Sequence, residues 1–243
     1  MNILITGSKG FIGKSLIRYL ENNTNHYIYS FSKNDNLNKI ENLIETIDIV
    51  FHFAGINKSK EKDNFKKVNV NLTKKICAII SRNPNTTLFY ASSIQANLKN
   101  HYGNSKRNGE EICLELQNQF RNKVYILRLP GIFGIGCKPN YNSVVATFCY
   151  NTANKIRLKI INPEKEIDLL FVDDLCAQLN NLINQKPSCK FIELKNIHKI
   201  SIKKLAFTIK KFHQNLNNLK FLESNDLLER KLFKTYISYL IER

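Results

Sequence analysis

Two short stretches carry side chains whose types and spacing could move a proton. In HYGNSKRNGEE, Tyr102 and Lys106 are four residues apart. That is about one turn of α-helix, so both side chains leave the same face. A phenol with an ordinary pKa of about 10 is a poor acid-base catalyst at neutral pH, and an ammonium one turn away favours its anion. Upstream, the segment YASS ends in Ser92-Ser93, whose hydroxyls could steady a substrate oxygen beside the phenol. A solvated helix offers the same Tyr-x-x-x-Lys spacing by chance, so the neighbouring motifs must decide between the two accounts.

The first of those motifs opens the chain. In TGSKGFIG, Gly7, Gly10 and Gly13 follow the strand-like NILIT and lead into an amphipathic helix. The first glycine permits a tight turn, the second lets backbone approach a pyrophosphate, and the third lets helix and strand pack closely. The pyrophosphate then lies at the positive end of the helix. The pattern predicts a dinucleotide site, with Phe11 and Ile12, between Gly10 and Gly13, counted in it. An acidic residue at the end of the second strand would bind the ribose hydroxyls of NAD and repel a 2′-phosphate. Here the strand ends Phe31-Ser32-Lys33, with no carboxylate before Asp35. Ser32 and Lys33 suit a phosphate, so the expected cofactor is NADPH/NADP rather than NAD, although an ordinary strand end can also carry a lysine.

Elements that could position these groups alternate along the chain. NILIT, HYIYSF, IDIVFHFAG, TLFYASS and KVYILRLP read as strands, and helical patterns such as VNVNLTKKICAIISRN lie between them. Strand-helix alternation implies right-handed crossovers and a doubly wound parallel α/β sheet. We expect a Rossmann-like NADP-binding domain over residues 1–130. Residues 131–243 are expected to form a small C-terminal substrate lobe, packed on the first domain and sharing its cleft.

At 243 residues and 43% hydrophobic, the chain can bury one substantial core. No run approaches the length of a membrane-spanning helix, and MNILITG has no signal-peptide pattern, so a cytoplasmic protein with no membrane partner is expected. The six cysteines show no C-x-x-C spacing and read as reduced thiols. The five histidines have no ligand-like spacing with one another, so no metal is expected. The net charge of +17 fits either a solvated, lysine-rich surface or an anionic partner such as a nucleotide. With the lysines spread from end to end and no arginine-aromatic cluster, no nucleic-acid partner is expected.

Taken together, TGxxGxxG, FHFAG, YASS and Tyr-x-x-x-Lys, in that order, resemble the extended short-chain dehydrogenase/reductase family. The likeness continues through FVDDLC and FIELKNIHKISIKKLAFTI. It implies that Ser93, Tyr102 and Lys106 are catalytic, with Ser92 as the serine should the register differ by one. It implies that Lys106 also binds the nicotinamide ribose, that Ala54 and Gly55 let the adenosine side lie flat, and that Asn69 lies near the cofactor. A surface helix is an equally good account of Asn69. Related dehydratases carry Thr-Asp-Glu where this chain has Ser93-Ile94-Gln95, and neither Ile94 nor Gln95 can transfer the proton that dehydration needs.

A narrower resemblance rests on SSIQA, PNYNSVVATFCY and YISYL. These are similar to the reductase half of capsular-polysaccharide enzymes that make UDP-2-acetamido-2,6-dideoxy-L-talose. The implied reaction is NADPH-dependent reduction of the C4 ketone of a UDP-4-keto-6-deoxy-L-hexosamine, with Ser93, Gln95, Asn142 and Ser143 on the UDP-sugar. Where that family has Arg-Trp-Pro-Asn, this chain has Arg128-Leu129-Pro130-Gly131, which changes the substrate pocket. The family continues into a metal-binding cupin domain that this sequence is not expected to contain. Either a separate 3-epimerase in the same pathway would then supply that step, or the pathway skips it and yields a sugar with a different C3 configuration; a homodimer is expected. The alternatives are an NAD(P)-dependent nucleotide-sugar epimerase and a non-catalytic NADP-binding scaffold; an intact Tyr-x-x-x-Lys argues against the scaffold.

Overall fold

Short apolar strands, most of them buried on both faces, build the sheet of the first part of the chain, as expected of a parallel sheet covered on each side by helices. The computed structural model describes residues 1–185, 187–215, 221–222 and 224–241. The chain runs through β1 (Asn2–Thr6), α1 (Phe11–Asn23) and β2 (Tyr27–Phe31), then a short α2 (Asn38–Glu41) and β3 (Ile49–His52). A short α3 (Asp63–Phe65) and a π-helical stretch, Lys66–Asn71, lead into α4 (Leu72–Ile80). Next come β4 (Thr87–Ser93), a 3-10 turn (Ile94–Asn97), α5 (His101–Phe120) and β5 (Val124–Leu129).

These five strands form one sheet in the order β2-β1-β3-β4-β5, with every pairing parallel. Strand register sorts the side chains by face. Leu4, Val50, Leu88 and Val124 form one cross-strand row and join Ile76, Ile80, Cys113 and Leu116 of α4 and α5 in a buried cluster. One residue along, Ile5, Phe51, Phe89 and Tyr125 form the row on the opposite face. Ring centroids there are 4.9 Å apart for Phe51–Phe89 and 5.0 Å for Phe89–Tyr125. Each such buried side chain contributes roughly 1.5–3 kcal/mol. β1 leads toward β2 on one side while β3 lies on the other, so strand order reverses at the carboxyl ends of β1 and β3. That is where doubly wound sheets bind ligands, and the architecture is Rossmann-like.

The chain divides into two compact units. The first comprises Met1–Leu129 and Cys176–Leu194. Within it, Ile126 donates to the carbonyl of Lys190 at 2.7 Å and accepts from Ile192 at 3.0 Å, which extends the sheet beyond β5. The second comprises Pro130–Leu175 and Lys195–Arg243. It contains β6 (Gly131–Phe133), α6 (Val144–Ala153), β7 (Glu166–Phe171), the start of α7 (Val172–Gln185), β8 (His198–Ser201), α8 (Ile202–Gln214) and α9 (Leu227–Ile241). β6 pairs parallel with β7, and β7 antiparallel with β8. Phe212 packs against Phe221 and Phe233, with centroids 5.1 Å apart in each pair, at the core of its helices. Among the described residues, no helix is long and apolar enough to cross a membrane.

α5 approaches β4 and the 3-10 turn unusually closely. A Cβ on Gly103 would stand 2.2 Å from the Gln95 carbonyl oxygen and 2.8 Å from that of Leu98. Ala in place of Gly would favour a helix interior by about 1 kcal/mol. The backbone collision outweighs that gain, and overpacking of this kind costs about 1–3 kcal/mol. Gly103→Ala should therefore lower the unfolding free energy in urea titrations; unchanged or increased stability would show that α5 can move away from the turn freely.

Candidate active site

At the carboxyl end of β1, Gly7 takes φ +70, a left-handed conformation that glycine adopts without strain. A Cβ there would come within 2.7 Å of the Ala54 amide nitrogen, and one on Gly13 within 2.4 Å of the Gly7 carbonyl oxygen. The turn thus lies directly against the backbone that follows β3, and α1 rests directly on the turn. Gly10 is the N-cap of α1, which has no side-chain cap and no acidic residue in its first turn. The orphan amides at this helix end, including those of Phe11, Ile12 and Gly13, have no side-chain acceptor at the N-cap and suit a pyrophosphate. Ser8 donates through its amide and its hydroxyl to the Phe31 carbonyl, both at 3.1 Å, and ties the turn to the end of β2.

Beyond β3 a chain of hydrogen bonds fixes one orientation for each partner. The Ala54 amide donates to Thr6 Oγ1 (3.2 Å), and Thr73 Oγ1 donates to the Asn69 carbonyl (2.7 Å). Between them, His52 Nδ1 lies 2.7 Å from Thr6 Oγ1 and Nε2 2.9 Å from Thr73 Oγ1. Thr73 has already used its proton, so His52 donates from Nε2 and accepts at Nδ1. This tautomer is neutral. Burial, with Lys106 adding to it, holds the His52 pKa down at about 3.

Asn69 is 1% exposed and lies in the π-helical stretch, a departure from α-helix often found at functional sites. The surface-helix account of it therefore does not hold. Its Oδ1 accepts from the Ile56 amide at 2.8 Å, and its Nδ2 donates to Ser105 Oγ at 3.0 Å. Gly55 lies beside it. A Cβ there would meet Asn69 Oδ1 at 3.0 Å and Lys106 Nζ at 3.4 Å.

α5 carries Tyr102 and Lys106. Asn100 caps it, its Oδ1 accepting from the Gly103 amide at 2.7 Å. Tyr102 is half-buried beside Phe65, with ring centroids 6.0 Å apart. Burial lifts its phenol above the ordinary value, and a hydrogen bond from Ser93 partly offsets this. Ser93 Oγ also accepts from the Gln95 amide at 3.2 Å, which starts the 3-10 turn and leaves Gln95 half-buried. The neighbouring hydroxyl, Ser92 Oγ, instead donates to Glu110 Oε1. Lys106 Nζ is buried and donates to the Ala91 carbonyl at 2.7 Å. Burial pushes its pKa down to about 8, against the opposing pull of Cys113 and Glu110.

The first unit therefore brings Gly7, Gly10, Gly13 and Ala54 together at one strand end, Gly55, Asn69 and Lys106 at the next, and Ser93 with Tyr102 beyond them. The end of β2 differs from the simplest expectation. Asp35 folds back, and its Oδ2 accepts from the Ser32 amide at 2.7 Å and from Ser32 Oγ at 2.8 Å. These bonds hold the Asp35 carboxyl below its ordinary pKa. Lys33 is exposed. Asn142 and Ser143 belong to the second unit, where Asn142 is exposed and Ser143 Oγ caps α6 by accepting from the Ala146 amide at 3.2 Å. Gly103, Gly109, Asn100 and Asp35 had no assigned place in the site; two glycines inside a long helical pattern were the available signal. Among the described residues, no three His, Cys, Asp or Glu side chains are placed to hold a metal ion.

Residues 3–188 match the model of the NAD dependent epimerase/dehydratase family. Over 244 residues the chain is 34% identical to the UDP-2-acetamido-2,6-beta-L-arabino-hexul-4-ose reductase of Pseudomonas aeruginosa, a match covering 100% of this chain and 66% of that protein. It is similar to the crystal structure of the capsular polysaccharide assembling protein CapF of Staphylococcus aureus, with a TM-score of 0.88 and 36% identity over 99% of this chain and 66% of that one. The chain thus spans just under two thirds of each of these relatives. The UDP-glucuronic acid 4-epimerase of Bacillus cereus, in complex with UDP-glucuronic acid and NAD, matches over 100% of both chains with a TM-score of 0.87 at 17% identity, a likeness of fold alone.

The neutral His52 makes the fold sensitive to acid. Between pH 6.5 and about 3, the unfolded chain binds a proton at this histidine and the folded protein does not. Stability therefore falls as pH drops below 6.5, by up to ~1.4 kcal/mol per pH unit from this one group. His52→Asn removes that titration, so its unfolding free energy should depend less steeply on pH between 6 and 4. Identical slopes in variant and parent would mean that His52 is protonated in the fold.

Proposed function

Because the chain belongs to the NAD dependent epimerase/dehydratase family, we propose that it reduces the C4 ketone of a UDP-4-keto-6-deoxy-L-hexosamine with NADPH. The observation that carries this reading is the buried Lys106, one turn from Tyr102 on α5, whose Nζ is fixed on the Ala91 carbonyl at 2.7 Å beside Gly55 and Asn69. The phenol is protonated at neutral pH, the form that ketone reduction requires, and the Lys106 ammonium favours the phenolate that proton transfer leaves. The Pseudomonas aeruginosa relative, named as a UDP-sugar 4-ulose reductase, supports the same assignment.

The glycines bring the turn tightly onto the start of α1, whose first amides have no side-chain cap and no acidic neighbour, so the residues fit the pyrophosphate of a dinucleotide. Gly7, Gly10 and Gly13 would hold its pyrophosphate, with Ala54, Gly55, Asn69 and Lys106 along its length. When bound, the nicotinamide supplies the hydride that reduces C4. Tyr102 gives its phenolic proton to the C4 oxygen, so the ketone becomes a secondary alcohol and a phenolate remains. Ser93 donates a hydrogen bond to the same oxygen and holds it near the phenol. Lys106, one turn along α5, offsets the phenolate charge. Gln95, Asn142 and Ser143 are assigned to the UDP-sugar.

Cofactor preference rests on Lys33, an exposed cation that suits a 2′-phosphate. One observation favours a second reading, an epimerase that keeps NAD bound: the Asp35 carboxylate occupies the Ser32 donors and brings negative charge to the end of β2.

The test is to incubate the protein with NADPH and freshly prepared UDP-4-keto-6-deoxy-HexNAc and follow NADPH absorbance and the sugar product. Tyr102→Phe should keep NADPH affinity, measured by fluorescence titration, and lose roughly 10²- to 10⁴-fold in turnover. Full turnover in that variant would remove Tyr102 from the mechanism.

Cofactor choice has its own test. NADPH should bind more tightly than NADH, with a preference that shrinks at high salt, and Lys33→Glu should reverse it. Equal affinities in the parent would overturn the Lys33 assignment and favour the epimerase.

A further inference from the structure

Next to Ser93 on β4 lies an ion pair that the proposed chemistry does not use. Glu110 is 3% exposed. Arg128, on β5, donates from Nε to Glu110 Oε1 at 2.9 Å and from Nη2 to Oε2 at 2.7 Å, a two-point grip on the carboxylate. The Phe191 ring stacks on the guanidinium, 4.7 Å from its centroid. Both ions have one further partner, and the two partners bracket Ser93. Ser92 Oγ donates to Glu110, and Arg128 Nη1 donates to Asn97 Oδ1 at 2.9 Å. Ser92 precedes Ser93 on β4, and Asn97 ends the 3-10 turn that Ser93 begins.

Glu110 also shares a helix with the other half of the site. It follows Tyr102 by eight residues and Lys106 by four on α5, so all three leave the helix on the same side. We propose that the Glu110–Arg128 ion pair is a positioning clamp that holds Ser93 against Tyr102, acting through Ser92 on one side and Asn97 on the other. A helix on one element and a strand end on another have no covalent reason to keep a hydrogen-bonding distance. The clamp fixes that distance because it grips α5 through Glu110, β4 through Ser92, the turn through Asn97 and β5 through Arg128.

Stability alone does not account for the pair. Removing the Glu110 carboxylate from water costs several kcal/mol while Arg128 keeps 34% of its side chain exposed, and well-packed apolar residues often stabilise a fold as well or better. Side-chain geometry is what the bidentate pair adds, and catalytic constellations need placement within about 0.5 Å.

The inference rests on reading Ser93 and Tyr102 as the catalytic pair, so the experiment has an arm that needs no activity. Ser92→Ala/Asn97→Ala cuts both tethers without leaving Glu110 or Arg128 unpaired. Ser92→Thr/Asn97→Asp keeps a hydroxyl and an acceptor in place. With tyrosine labelled at Cζ and the Tyr102 resonance assigned from Tyr102→Phe, the chemical shift at neutral pH reports the Ser93 contact. In the alanine pair it should move toward the value of Ser93→Ala, and in the Thr/Asp pair it should stay with the parent. In the reductase assay, kcat should fall about tenfold in the alanine pair at unchanged NADPH affinity, and recover in the Thr/Asp pair. A Tyr102 shift unchanged in the alanine pair would overturn the clamp, whatever the activity. A parent protein without reductase activity would overturn the proposed function and leave the resonance to decide on the clamp.

Discussion

The site depends on how closely α5 can approach β4. The first turn of the helix presents Gly103 to the Gln95 carbonyl, and a later turn presents Gly109 to Tyr90, where a Cβ would stand 2.0 Å from the Tyr90 hydroxyl oxygen. Two absent side chains let α5 rest directly on the strand and on the turn that follows it. The spacing of these side chains follows from it, because Tyr102 and Lys106 ride on α5 while Ser93 and Ala91 belong to β4. A helix displaced by one methyl group would carry the phenol away from its serine and the lysine away from its carbonyl.

Burial then sets the protonation states. Tyr102 and Lys106 are pushed in opposite directions by the same cause, since removal from water penalises a phenolate and an ammonium alike. The phenol is thereby kept as an acid, and the ammonium is brought within reach of neutral pH. Ser93 acts against the first effect, and Glu110 and Cys113 against the second. The balance belongs to the folded site, and neither side chain has it in isolation.

A second buried network secures the neighbouring strand ends. The run from Ala54 through Thr6, His52 and Thr73 to Asn69 spans β1, β3 and the π-helical stretch, and each donor in it has a single acceptor. Such a network is costly if any member is unpaired, so it admits one arrangement of the backbone around Gly55. Asn69 then extends the order to α5 by bonding Ser105. The glycine turn, the strand ends and α5 are in this way connected by polar contacts within one unit.

The sequence by itself determined the parts governed by local chemistry. Five apolar strands alternating with helices, glycines at a strand-to-helix turn, and a tyrosine and lysine one helical turn apart are patterns of propensity and period, legible without partners. Tertiary structure decided which side chains meet. Ser92 and Ser93 are alike in sequence, but successive residues of a strand face opposite ways, so one turns to Glu110 and the other to the Gln95 amide at the start of the 3-10 turn. Asn69 looked equally at home on a surface helix until its stretch was wound as a π-helix and packed against Ile56 and Ser105. Asp35 lies beyond the strand end in sequence, and only the backbone turn returns its carboxylate to Ser32. Arg128 and Glu110 are 18 residues apart, and the parallel register of β4 and β5 makes them partners. Local pattern fixes a residue's conformation; its neighbours across the fold depend on register and on how closely the elements pack, which no single stretch of sequence records.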